Sequence, residues 1–193
     1  MKSMRSRLVK AFTAVILASA SVSAAARVIT FDDVPNVEYH VPNTYGGLNW
    51  FNVYTTNGAS QPGTGFAAGV VSGQNVAGNG FGKPAFFSWP IAFNLESLYL
   101  TKAWYAGYTR LEGYSGASLV YTAEIYSTTT APTFAELHWT NLTKVVFMDA
   151  DGSEHTVIDD ITITSVPEPE TYAMLLAGLG IISAIRRLKR TAA

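Results

Sequence analysis

Two carboxylate doublets, Asp32-Asp33 and Asp159-Asp160, are the residues of this 193-residue chain whose type and spacing most invite chemistry. The first follows Ile29-Thr30-Phe31, and the second is embedded in Val157-Ile158 and Ile161-Thr162-Ile163. Successive side chains of a strand point to opposite faces, so Asp159 and Asp160 are expected one on each face. One of them then points toward the core side or a sheet edge. A buried carboxylate without a partner is costly, so it calls for backbone N–H groups, a Lys or Arg, or a metal ion. The alternative to a metal site is a set of hydrogen-bonded carboxylates at strand ends.

Other constellations are missing. No serine stands in a G-x-S-x-G elbow. His40, His138 and His155 are scattered, without H-E-x-x-H or H-x-H spacing. The chain has no cysteine, which removes a thiol nucleophile, a thiolate metal site and any disulfide. The glycine-rich stretches around Gly63–Gly69 and Gly78–Gly82 lack the Lys-Ser/Thr of a phosphate loop and read as loops. Glycoside hydrolysis needs two carboxylates facing each other across a cleft, and the spacing nominates no pair. Asp149-Ala150-Asp151-Gly152 reads as a hairpin turn. The expectation is a protein that is not an enzyme.

Aromatic side chains are the second resource. Residues 27–165 hold four Trp, nine Tyr and nine Phe. Trp50, Trp89, Trp104 and Tyr105 sit near expected strand ends or loops, where flat rings can stack on sugars. The competing reading of each is a core residue. The same segment carries five basic against twelve acidic groups. Such a domain has no phosphate-binding face, which excludes nucleic acid as a partner. Any sugar it holds would be neutral and bound by aromatic contact.

The elements that must position these groups read as strands. Residues 93–104, 108–114, 118–126, 134–141, 144–149 and 155–164 are rich in Val, Ile, Thr, Tyr and Phe and are punctuated by Gly, Asp, Asn or Pro. Shorter strands are expected at 28–31, 47–54, 69–72 and 84–87. Phe93, Leu95 and Tyr99 read as one inward row. No helical period is sustained before Tyr172. Nine or ten strands without a helix give an all-β fold, an antiparallel β-sandwich or jelly roll.

The ends of the chain differ in kind from the middle. Lys2, Arg5, Arg7 and Lys10 precede the apolar stretch 11–18, and residues 19–26 are small. This is the layout of a signal peptide over 1–26, cut after Ala24 or Ala26. At the other end Pro167-Glu168-Pro169 leads into the uncharged run 172–185, closed by Arg186, Arg187, Lys189 and Arg190. That run spans roughly 21 Å as a helix at 1.5 Å per residue, short against a hydrocarbon core of about 30 Å. Flanking Arg and Lys side chains can snorkel, and the bilayer can thin around a short span. Basic residues outside both apolar segments place both ends in the cytoplasm and residues 27–165 across the membrane.

The ordered array over 166–190 resembles the PEP-CTERM sorting signal of Gram-negative bacteria that make exopolysaccharide. The resemblance implies export, a transient hold in the inner membrane, processing by the membrane protease exosortase, and delivery to the cell surface or extracellular matrix. Within 27–165 the strings Ile29–Asp33, Tyr45-Gly46-Gly47-Leu48-Asn49-Trp50, Glu112-Gly113-Tyr114 and Val157–Ile163 are similar to the jelly-roll domains of many PEP-CTERM proteins. Those domains are similar in outline to carbohydrate-binding modules. By that second resemblance the first and last strands would lie together, and Asp32 or Asp33 would join Asp159 or Asp160 around a structural calcium. The expected protein is a non-catalytic envelope or matrix protein associated with exopolysaccharide. The alternatives are a carbohydrate-binding module and, third, a secreted polysaccharide hydrolase.

Overall fold

Alternating burial along β-branched and aromatic strings makes strands the main regular structure of residues 26–166. The computed structural model describes residues 26–35, 37–152, 154–166, 176–180 and 182. The expected signal peptide, Pro167, Glu168, Pro169 and the cluster Arg186, Arg187, Lys189 and Arg190 lie outside the described residues, apart from Ala26. Of the expected C-terminal helix, residues 176–180 and 182 are described, and they are helical. Among the described residues no helix is long and apolar enough to cross a membrane.

Ala25–Val166 forms one compact unit. Its strands are β1 (Ala26–Ile29), β2 (Asn49–Phe51), β3 (Val53–Asn57), β4 (Asn75–Asn79), β5 (Ala85–Lys102), β6 (Gly107–Ser115), β7 (Ser118–Ser127), β8 (Thr133–Asp149) and β9 (Thr156–Ser165). A single helical turn, α1 (Gly65–Ala68), lies between β3 and β4. The strands run in the order β3-β4-β9-β5-β8-β6-β7, with β1 on β9 and β2 on β5. Every pairing is antiparallel.

Two long strands turn this sheet into a sandwich. The first part of β5, at 85–88, pairs with β2 and with residues 144–147 of β8. The second part, at 93–102, pairs with β9 and with residues 133–142 of β8. The two halves bury one continuous core between them. Phe87, Leu111, Val145 and Phe147 come from one half, and Leu98, Leu100, Ile158 and Ile161 from the other.

β-Bulges make the bend. The register of β5 against β8 slips between Phe93 and Leu95 and again between Leu95 and Ser97, each time with one extra residue on β8. The register of β5 against β9 slips twice, between Leu95 and Ser97 with the extra residue on β5, and between Ser97 and Tyr99 with the extra residue on β9. His138, Asn141 and Asp160 occupy the left-handed region at φ 49°, 59° and 46° within these slips. An extra residue in one strand bends it and sharpens its twist. The inward side of β5 changes parity across the same place. Phe93 and Leu95 are buried in the core, and so are Leu98 and Leu100, whereas Tyr99 is half-buried beside Phe134. The single inward row of Phe93, Leu95 and Tyr99 is therefore broken, because slipped register moves side chains to the other face.

Other expectations change in the same physical way. The expected strand at 47–54 is two strands, β2 and β3, separated by Asn52 at φ 55°. The stretch 69–72 is the turn and bend that follow α1, not a strand, while β4 was not foreseen. At the end of the core Lys102 is fully buried and pairs with the carboxylate of Asp149. Its ammonium also donates to the Tyr108 carbonyl at 3.3 Å and to Thr156 Oγ1 at 3.4 Å. This polar lock joins β5, β6, β8 and β9.

If the left-handed bulge geometry is required, its residues respond in a specific pattern. Asn141→Gly should leave stability near that of the wild type, whereas Asn141→Val should cost roughly 1–2 kcal/mol through the left-handed penalty on a β-branched side chain, which Asn largely escapes. Urea unfolding of the two variants checks this. Equal destabilisation by both would contradict it.

Candidate functional site

Between β3 and β4, residues 58–74 leave the sheet and lie back across its outer face. Phe66 and Val70 pack there on Val76, Ala103 and Val157, a second small apolar cluster. Thr64 caps α1, its Oγ1 accepting from Phe66 N at 3.2 Å. Gly65 is required at this point. A β-carbon on it would come within 1.8 Å of the Lys102 carbonyl oxygen, and its own N–H donates to Ala103 O at 2.8 Å.

The carboxylate doublets hold this loop down. Asp159, at the foot of the loop, accepts from Val71 N at 2.8 Å and Ser72 N at 3.3 Å on Oδ2, and from Asp160 N at 2.8 Å on Oδ1. Asp160 Oδ1 accepts from Ser72 Oγ at 2.6 Å. From the first strand's side, Asp32 Oδ1 accepts from Gln74 N at 2.7 Å and Asn75 N at 3.0 Å. Gly73 lies at φ +54°, and a β-carbon there would sit 2.0 Å from the Asp32 carboxyl. Asp159 and Asp160 thus do not divide between opposite faces as a regular strand would place them. The bulge at Asp160 turns both toward Ser72.

Asp33 points elsewhere and accepts from the Tyr45 hydroxyl at 2.6 Å. Burial first, and then the Asp33 carboxylate, push that phenol well above its ordinary range. The first and last strands do pair, as β1 with β9. A shared calcium fits this donor set poorly, since N–H groups point at Asp32 Oδ1 and at both oxygens of Asp159. Among the described residues no three acidic or histidine side chains gather as a metal site.

Beside the loop opens a cleft of about 260 Å³. Tyr54, Phe66 and Phe81 supply its rings, Glu38, Thr56 and His155 its polar groups, and Gly78 leaves its floor open. Tyr54 and Phe81 meet edge to face, with centroids 6.0 Å apart, and the Phe66 ring lies 6.3 Å from that of His155. His40 stacks on the Tyr54 ring at 3.9 Å. Phe81 is 80% exposed and held at φ 56°. A bulky side chain in the left-handed region is strained, and such strain clusters at binding sites. Glu38 is anchored by Thr56 Oγ1 at 2.6 Å, Ser60 Oγ at 2.8 Å and Asn57 N at 3.2 Å. Burial works to raise its pKa, but these hydrogen bonds outweigh it and hold the carboxyl below its usual range. The cleft therefore offers ring faces, hydroxyls, an imidazole and one fixed negative charge.

The stacking residues expected from the sequence fall in three places. Trp50 is core. It is 7% exposed, its indole N–H donates to Tyr45 O at 2.9 Å, and its ring packs on Phe31 and Phe87. It presents no face to a ligand. Trp89 is half-buried against Phe93. Trp104 and Tyr105, 48% and 77% exposed, stand at the end of β5, and the Trp104 ring meets Phe66 edge to face at 6.0 Å. Of the cleft residues, His155 reads from the sequence only as one of three scattered histidines, and Tyr54, Phe66, Phe81 and Glu38 carry no expectation. The sequence carries one signal, for Phe81 alone: Asn79-Gly80-Phe81-Gly82 sets a large ring among glycines in a loop.

The architecture is an antiparallel β-sandwich with an aromatic cleft on the outer face of one half. Residues 165–190 match the PEP-CTERM protein-sorting motif, which marks an exported, surface-associated protein. No curated protein matches the chain. Among solved structures the chain is similar to the N-terminal tandem of two family 22 carbohydrate-binding modules of Paenibacillus barcinonensis Xyn10C. The identity is 14% and the TM-score 0.46, over 77% of this chain and 49% of that one. It is also similar to the first of those modules alone, a xylan-binding domain, at 13% identity and TM-score 0.43, over 76% and 99% of the two chains. A family 35 carbohydrate-binding module of Clostridium thermocellum matches at 10% identity and TM-score 0.41, over 74% and 100%.

Burial, opposed by the N–H groups of Val71 and Asp160, pushes the Asp159 carboxyl up to about 7 from an ordinary 3.8. Between those values the folded protein keeps a proton that the unfolded chain has lost. Stability should therefore fall as pH rises from about 4 to 7 and level off above, by proton linkage. Asp159→Asn should flatten that slope in urea unfolding at a series of pH values, and an unchanged slope would contradict the assignment. With N–H and O–H donors already bonded to these carboxylates, melting curves in EDTA and in added calcium should superimpose. A melting temperature that rises with calcium would show a cation at the doublets instead.

Proposed function

We propose that this chain is an exported, non-catalytic matrix protein, processed by exosortase at the inner membrane, whose sandwich holds neutral stretches of exopolysaccharide in the Tyr54–Phe81 cleft. The observation that carries this reading is Phe81. A phenylalanine that stays four-fifths exposed in a strained backbone conformation costs stability, and contact with a ligand accounts for its retention. Ring faces of Tyr54, Phe66 and Phe81 suit the apolar faces of sugar rings. Thr56, His155 and Glu38 supply hydrogen-bond partners for hydroxyls. The surplus of acidic groups in the domain favours an uncharged ligand over an acidic one.

Hydrolysis is a weaker reading. Glu38 is the one carboxylate among the described lining residues, and it is held by three hydrogen bonds. Glycoside hydrolysis needs a second carboxyl across the bond.

Affinity electrophoresis of the purified protein in gels containing the host's neutral polysaccharide tests the cleft. Phe81→Gly should weaken retardation about tenfold, equivalent to about 1.4 kcal/mol. It should also leave stability equal or higher, because glycine tolerates positive φ. Unchanged retardation of Phe81→Gly and Tyr54→Ala would remove the cleft as the binding site. Sorting is tested separately in the native host. Replacing Pro167, Glu168 and Pro169 with Ala should leave an uncleaved form in the membrane fraction. A secreted wild-type protein whose tail is intact through Ala193 would contradict processing.

A further inference from the structure

Lys102 and Asp149 lie outside the cleft and play no part in the binding just proposed. Both are buried, 0% and 4% exposed, on the neighbouring strands β5 and β8, and are 47 residues apart in the chain. A buried ion pair of this kind is seldom worth its desolvation cost compared with an apolar replacement. Its surroundings are nonetheless arranged around it. Glu154 N donates to Asp149 Oδ2 at 3.3 Å, while the ammonium faces Oδ1. The Tyr108 carbonyl accepts from Lys102 Nζ at 3.3 Å. Thr109 and Thr156 join their hydroxyls at 3.0 Å beside it. Glu154 is itself buried, its Oε1 accepting from Trp104 N at 2.8 Å. The chain has no cysteine with which to staple an exported fold.

We propose that Lys102 and Asp149 condense into an intramolecular isopeptide bond, a covalent cross-link between β5 and β8. The amine nitrogen of Lys102 attacks Cγ of Asp149 after passing a proton to Oδ1. Charge developing on Oδ2 is met by the Glu154 N–H, which acts as a one-donor oxyanion site. Oδ1 leaves with two protons as water. The ammonium and carboxylate together thus become one amide and one water, and no oxidant or cofactor is consumed. Oδ2 remains as the amide oxygen, still accepting from Glu154 N, and the remaining N–H faces the Tyr108 carbonyl. Both polar groups of the product are therefore satisfied in place. Two effects favour the step. Fixing the reactants in contact gives effective molarities of about 10⁵–10⁸ M. Burial raises the free energy of the two charges that the reaction removes.

The test is mass spectrometry of the protein purified from its host and denatured, with peptide mapping by a protease that cuts on both sides of each residue. The expected result is a peptide containing Lys102 joined to one containing Asp149, lighter than their sum by one water. Lys102→Arg keeps the positive charge but should yield the two peptides separately at full mass. It should also melt at a lower temperature than the wild type. Full-mass, unlinked peptides from the folded wild-type protein would overturn the proposal and leave a plain ion pair, whether or not the variant folds.

Discussion

A handful of hydrogen bonds to carboxylates, from backbone N–H groups and one serine hydroxyl, decides where the loop at 58–74 lies, and the cleft depends on that placement. Asp159 binds the backbone of Val71 and Ser72, Asp160 the side chain of Ser72, and Asp32 the backbone of Gln74 and Asn75. Apolar packing contributes less here, since the cluster under the loop is only Val76, Ala103 and Val157 with Phe66 and Val70 over it. Without the carboxylates the backbone donors of the loop would face the sheet unpaired, at a cost of about 1–3 kcal/mol for each buried group. Asp159 itself remains costly to bury, as its elevated pKa of about 7 records. The fold therefore accepts an electrostatic penalty in order to keep one wall of the cleft, Phe66, in place.

The bulges serve the same end. Asp160 at φ 46° brings two consecutive acidic side chains to one side of β9, which a regular strand cannot do. Similar left-handed residues at His138 and Asn141 let β5 and β8 pass from one half of the sandwich to the other. At His138 the imidazole lies between Glu96, 3.0 Å away, and Glu136, 3.1 Å away. Those hydrogen bonds, first from Glu96 and then from Glu136, raise its pKa. The bulge thus has side-chain partners on the surface as well as a role in the bend.

Much of the architecture was legible in the sequence because it follows from local rules. β-Branched and aromatic strings separated by Gly, Asp and Asn gave the strands β6, β7 and β9 closely, and the all-β sandwich with them. What escaped was non-local. The joins that merge 84–87 with 93–104 into β5, and 134–141 with 144–149 into β8, depend on partners far along the chain. Parity along β5 changes at its own extra residue opposite β9, between Leu95 and Ser97, which no alternation of residue types in β5 reveals. The partners of Asp32 and Asp159 could not be read locally, because the N–H groups of the 71–75 stretch that supply them are 42 to 88 residues away. Trp50 sits in the core because Phe31, Tyr45 and Phe87 converge on it, and ring type alone does not distinguish that from a platform. Phe81 carried a local sign, glycine on both sides, that outweighs its ordinary reading as a loop residue.

On the proposed function, the carboxylate-held loop and the strained Phe81 together make a site for a neutral glycan. The most direct measurement is an NMR titration of the secreted protein with neutral oligosaccharides prepared from the host's matrix. A glycan in the cleft should shift the ring signals of Tyr54, Phe66 and Phe81 and the imidazole of His155, with the core ring of Trp50 unmoved. Shifts confined to Trp104 and Tyr105, or none at saturating sugar, would contradict it.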